Sequence, residues 1–239
     1  MAEETQIAPG LCVRGLALPL RLSDYRLAAF DMDSTLINIE CVDEIADAVG
    51  KKAEVAAITE AAMRGEISDY KTSLRQRVAL LAGVSVEQID ALYAQRLQIN
   101  PGAAELVQAL RRAGLKTLLV SGGFTHFTDR VKARLGLDFA RANVLEVVDG
   151  RLTGRLLDQD WGDICDGEEK RRTLLQTCVQ LGIAPEQAIA MGDGANDIPM
   201  MQAAGISVAY HAKPAVRAQA KVCIDSGGLD RLLTLFDRA

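Results

Sequence analysis

Three short apolar runs in this chain each end on a cluster of acidic, glycine or serine residues. They are Leu27 to Phe30 before Asp31-Met32-Asp33-Ser34-Thr35, Lys116 to Val120 before Ser121-Gly122-Gly123, and Ala188 to Met191 before Gly192-Asp193-Gly194-Ala195-Asn196-Asp197. Short, nearly continuous apolar runs read as buried strands. Stretches with helical spacing separate them: Ala103 to Ala113, Phe127 to Leu135 and Thr173 to Leu181. This alternation predicts an α/β fold with a parallel, doubly wound sheet, in which ligands bind beyond the carboxyl ends of the strands. All three clusters fall at such ends. Residues 206–209 and 222–224 read as further strands, and Ile198 to Ala204 and Leu229 to Phe236 as helices. The alternation around Asp149-Gly150 predicts a small β-hairpin.

The pattern breaks once. From Cys41 to about Gln98 the chain reads as helix after helix, with Gly50 ending the first, Ser68 capping the third and Ser85 opening the fourth. Four helices with no strand between them are foreign to an alternating chain. The expected division is a lead-in at 1–23, a core at 24–39 and 100–239, and an inserted helical-bundle cap at 40–99. A simple packing bundle is the alternative. The lead-in is expected to pack loosely, with at most a short strand at Leu11-Cys12-Val13.

Composition narrows the functional classes. A formal charge of −5 leaves no electrostatic footprint for nucleic acid, and an anionic substrate would need a local positive site. No apolar run approaches the roughly 20 residues of a membrane span, and the acidic start lacks a secretory pattern. Five scattered cysteines without a CxxC pair argue against disulfide and zinc frameworks and for a reducing cytoplasm. His126 and His211 are too few and too isolated for a triad or a zinc site.

A DxD pair after a strand is often a solvated turn or a helix cap. Here it has company in the Ser-Gly-Gly cluster, a lysine at Lys170 and the Gly192–Asp197 cluster. In that order these pieces resemble the haloacid-dehalogenase (HAD) superfamily of aspartate-nucleophile phosphatases. The strings Asp31 to Glu40, Val120 to Phe124 and Gly192 to Ile198 are similar, more narrowly, to the branch acting on O-phosphoserine. The likeness runs from about Leu27 to the C-terminus.

The resemblance implies a HAD-like, Rossmann-type core and magnesium-dependent hydrolysis of O-phospho-L-serine. That reaction is the last step of serine biosynthesis, carried out by a cytoplasmic monomer or homodimer. It makes Asp31 the nucleophile, since a carboxylate can hold the phosphoryl group as an acyl phosphate. Asp33 becomes the general acid and base. Ser121, Gly122 and Lys170 would hold the phosphate oxygens, although Lys170 sits in a charge run where Arg171 or Arg172 could serve instead. Mg²⁺, an oxygen-seeking cation, would be held by Asp31, Asp193 and the Asp33 backbone carbonyl, with Asn196 and Asp197 orienting that shell. Glu40 would meet the substrate ammonium and Arg77 its carboxylate, where a planar fork suits bidentate binding. Met63 and Tyr70 match residues walling the substrate, and helical core is the alternative for both. The approach to Lys170 carries Trp161, Asp158, Asp160 and Asp163 in a loop with no assigned role.

Two other readings share these residues. One is a HAD phosphatase or phosphotransferase for another small phosphomonoester. The other is a receiver-like signalling domain, which also needs an aspartate, Mg²⁺ and a lysine. Asp33 argues against it, because a second carboxyl would hasten loss of the phosphoryl group.

Overall fold

The computed structural model describes residues 3–64, 66–67 and 69–237. The chain begins with β1 (Glu4–Ala8), β2 (Leu11–Arg14) and β3 (Leu27–Phe30). Four helices follow: α1 (Cys41–Ala48), α2 (Lys52–Met63), α3 (Tyr70–Ala79) and α4 (Val86–Arg96). Next come α5 (Ala103–Arg112), β4 (Lys116–Phe124), α6 (Thr125–Leu135), β5 (Phe139–Val148) and β6 (Arg151–Leu157). The last third holds α7 (Gly167–Leu181), β7 (Ala188–Gly192), α8 (Ile198–Ala203), β8 (Ile206–Tyr210), α9 (Pro214–Arg217) and β9 (Val222–Ile224).

One nine-stranded sheet runs in the order β1-β2-β9-β8-β7-β3-β4-β5-β6. From β9 to β5 all neighbours are parallel, and both flanks are antiparallel. Every residue of β3 is fully buried, and successive side chains go to opposite faces. Ala28 and Phe30 pack with Leu106, Leu110 and Phe127 from α5 and α6. Leu27 and Ala29 pack with Leu174, Cys178 and Met200 from α7 and α8. Helices therefore cover both faces, as a doubly wound sheet requires. From β3 the chain winds outward through β4 and β5, then returns to β7 on the other side, so the strand order reverses beside β3. Asp31 and Asp193 follow directly on the two strands at that reversal.

The four helices leave and rejoin the core through paired connections. Ile37 and Ile99 bridge, Asn38 and Gln98 exchange hydrogen bonds, and Asn100 Nδ2 donates to the carbonyls of Thr35 and Ile37. Ser85 forms a capping box with Gln88 at the start of α4. The cap expected at Ser68 lies outside the described residues, and Asp69 is the N-cap of α3, accepting from Thr72 N at 2.8 Å. The hairpin β5–β6 turns at Asp149 and Gly150, whose φ values of 50° and 73° suit a turn with two left-handed residues. It also reaches the helical segment, where Leu152 and Val84 and then Val86 and Gly150 are joined by backbone hydrogen bonds.

Three expectations need correction. The lead-in is not loosely packed: β2 pairs with β9, and Leu11 and Val13 are buried there. An apolar run of three residues is a weak strand signal, and here its partner supplies the missing stability. The strand at Lys116 does not end at Val120 but continues through Ser121-Gly122-Gly123 to Phe124, with a register irregularity against β5. The closing segment Leu229–Leu235 is a 3₁₀ helix rather than an α-helix.

Candidate active site

Asp31 follows β3, and its N–H donates to the carbonyl of Met191 on β7, which fixes it at the strand reversal. Lys170 Nζ donates to Asp31 Oδ1 at 2.6 Å and to Asp197 Oδ1 at 2.7 Å. The lysine is completely buried. Asp166 makes this possible by capping α7, accepting from Glu169 N, so the helix starts early enough to turn Lys170 inward. Its neighbours in the charge run go elsewhere: Arg171 pairs with Glu168 and Arg172 with Glu169. Lys170 alone of the three faces Asp31.

Asp197 holds the third cluster together. Its Oδ2 accepts from the N–H groups of Asp193 and Gly194, and a Cβ on Gly192 would collide with its carboxyl. Asp31, Asp193 and Asp197 bring carboxylate oxygens within 4.8 Å of one another. Three such groups with one lysine leave excess negative charge. Burial first and then Asp197 push Asp31 well up from the ordinary carboxylate range, with Lys170 pulling it back. Burial, Asp197 and Glu40 raise Asp193 to about 7. Burial opposes the charge on Lys170, but Asp197 and Asp31 outweigh it and keep the ammonium protonated.

Asp33 lies apart from the carboxylate cluster. Cys41, the first residue of α1, donates from its N–H to Oδ2 at 2.9 Å and from its thiol to Oδ1 at 3.1 Å. Burial, then Glu40, raises Asp33 to about 7 against the lowering effect of these bonds. Burial likewise keeps Cys41 a thiol.

A cleft of about 80 Å³ opens above these groups, lined by Asp31, Asp33, Glu40, Tyr70, Arg77, Ser121, Gly122, Asp193 and Asn196 among others. Glu40 accepts from the Ser34 hydroxyl at 2.6 Å, and Arg77 Nε donates to the Ser73 carbonyl at 3.4 Å. Ser121 is buried and accepts from Gly123 N at 2.8 Å. Tyr70 lies so close to Gly122 that a Cβ there would strike its hydroxyl and force the ring to shift. Lys170 and Asp197 lie outside the lining and support it from below. The side chain of Met63 is outside the described residues.

Sequence reasoning missed several supporting residues. Buried Asn143 donates to Gly122 O at 2.7 Å and accepts from Cys165 N at 2.8 Å, tying β4 to the loop before α7. Thr35 donates to Asp193 Oδ1 at 3.3 Å, and Lys213 lines the cleft. A lone polar residue inside a hairpin or a lysine before a proline carries no motif. The Trp161 loop proves to be a fastening for the cleft's helical side. Asp163 accepts from Lys71 and Arg75 of α3, each at 2.6 Å, while Trp161 lies under Arg141.

Residues 25–205 match the model of a hydrolase family described as haloacid dehalogenase-like hydrolase. The chain belongs to that family. Among its haloacid dehalogenase-like relatives, a phosphoserine phosphatase of Albidiferax ferrireducens is 72% identical over 232 residues, 97% of this chain and 98% of that one. A phosphoserine phosphatase of Idiomarina loihiensis is 51% identical, covering 87% and 91% of the two chains. A solved substrate-bound phosphoserine phosphatase complex superposes with a TM-score of 0.81 at 38% identity, covering 89% of this chain and 99% of that one.

Proposed function

We propose that this chain hydrolyses O-phospho-L-serine to L-serine and phosphate through a phosphoaspartate at Asp31. The carrying observation is the cleft itself. It is lined by Asp31, backed by Lys170 at 2.6 Å, and by Glu40 and Arg77, two opposite charges suited to the ends of an amino acid. Relatives named phosphoserine phosphatase that match nearly the whole chain support the same substrate.

The site suits a hard divalent cation such as Mg²⁺: three carboxylates cluster there, and burial together with their excess negative charge raises Asp31 and Asp193. Asp31 and Asp193, which line the cleft, would hold it with the Asp33 carbonyl, while Asp197, already engaged by Lys170 and two N–H groups, orients them. When bound, the cation would offset the repulsion between Asp31 and an anionic phosphate.

The chain's own groups do the rest. Asp31 attacks phosphorus while the ester P–O bond breaks and Asp33 protonates the departing serine oxygen. Water then attacks the phosphoaspartate, giving its proton to Asp33 as Asp31 departs with its electron pair. Lys170 fixes the nucleophile, and Ser121 with the backbone around Gly122 receives the phosphoryl oxygens. Tyr70 walls the cleft, with Met63 proposed beside it, and residues 40–99 act as a cap. Glu40 takes the ammonium and Arg77 the carboxylate. In the cell we place the reaction in the cytoplasm as the last step of serine biosynthesis, in a monomer or homodimer. Among the described residues no helix is long and apolar enough to cross a membrane, and all five cysteines are free.

The test is phosphate release from O-phospho-L-serine with Mg²⁺, run beside O-phosphothreonine, a sugar phosphate and an aryl phosphate. Preference for phosphoserine supports the reading. Turnover of the aryl ester alone would remove the substrate assignment.

A further inference from the structure

An aspartate carboxyl turns easily about its last torsion, so a single donor does not set its plane. Among the described residues Asp33 has two donors, and both come from Cys41. The N–H is one of the orphan donors at the start of α1, where the helix dipole also favours an acidic partner. The thiol is the weaker donor and reaches the other oxygen. Cys41 is fully buried, and Glu40 at the N-cap position makes no side-chain cap bond. On its far side Asp33 Oδ1 faces Gly123, where an added Cβ would stand 3.5 Å away.

We propose that Cys41 is a positioning residue that sets the plane of the Asp33 carboxyl for both proton transfers, an inference that rests on the proposed phosphatase reaction. Cys41 begins the first of the four inserted helices, so the orientation of Asp33 depends on how α1 is seated. In the first step the Asp31 oxygen–phosphorus bond forms, the ester P–O electrons go to the serine oxygen, and that oxygen takes the Asp33 proton. In the second, a water oxygen bonds to phosphorus, its proton goes to Asp33, and the Asp31 P–O bond breaks. Both steps need an oriented Asp33. An aryl ester does not need it in the first step, because a phenolate leaves without a proton.

The test uses the full chain with Mg²⁺ and the variants Cys41→Ala and Cys41→Ser, following phosphoenzyme formation and its hydrolysis separately in a rapid-quench experiment. With O-phospho-L-serine, Cys41→Ala should slow both steps by roughly tenfold or more at an unchanged KM. With p-nitrophenyl phosphate it should slow hydrolysis of the phosphoenzyme only. Cys41→Ser, which restores a donor, should recover most of the rate. Equal slowing of the first step for both esters would overturn the proposal and leave Cys41 as part of a helix cap, as would no slowing at all. If the parent turns over the aryl ester but not phosphoserine, the substrate reading fails. The phosphoenzyme hydrolysis step then still decides the role of Cys41.

Discussion

The two sides of the cleft are built from different kinds of ion pair. On the sheet side, Lys170 is completely buried between Asp31 and Asp197, whose side chains are 7% and 0% exposed. On the helical side, Arg75 and Asp163 pair at 53% and 35% exposure. Removing one partner of a buried pair costs about 3–5 kcal/mol, because the other charge stays buried and uncompensated. An exposed pair is worth about 0.2–1 kcal/mol. The half proposed to carry the chemistry is therefore locked into the core, and the half proposed to recognise the substrate is held by weak, separable contacts.

Lys170→Met should break this contrast most severely. It strands Asp31 and Asp197 and should lower stability by about 3–5 kcal/mol in a urea titration, with turnover lost. A pH series on metal-free protein comes next. Asp33 and Asp193 hold their protons to about 7 in the fold. In the unfolded chain an aspartate releases its proton near about pH 4. Between those values the folded state binds more protons, so stability falls as the pH rises, by on the order of 3 kcal/mol for each of the two groups. The urea midpoint should drop from pH 4.5 to 7.5 in a chelator, and added Mg²⁺ should flatten that slope.

Arg77→Ala sharpens the comparison from the helical side. A lost charge-assisted contact is worth about 1.5–3 kcal/mol, so kcat/KM for phosphoserine should fall about 10- to 100-fold. Aryl phosphate turnover and the melting temperature should stay near those of the parent. Asp163→Asn should have the smallest effect. Losing two exposed pairs should lower stability by about 1 kcal/mol or less in the same urea titration.

The sheet side was also the legible one. Asp31, Ser121 and Asp193 announce themselves because apolar runs stop at them, and strand ends in a doubly wound sheet share one edge. Lys170 could be separated from Arg171 and Arg172 only once the Asp166 cap had set the helix phase. β1 and β2 were obscure for a related reason. β2 is held by pairing with β9, more than 200 residues away, and β1 in turn by β2, and a local pattern carries no trace of such a partner. Asn143 and Thr35 also act through contacts between residues separated in sequence. The Asp163 fastening was hidden inside an acidic loop that reads as solvated surface until α3 is folded beside it.

The central claim is that Asp31 carries the phosphoryl group. Borohydride quenching of the enzyme during turnover of O-phospho-L-serine, followed by peptide mass analysis, tests it directly, since an acyl phosphate is reduced to the alcohol. The account predicts homoserine at position 31, absent without substrate and absent in Asp31→Asn. Reduction at another aspartate, or steady turnover with Asp31 never modified, would contradict it.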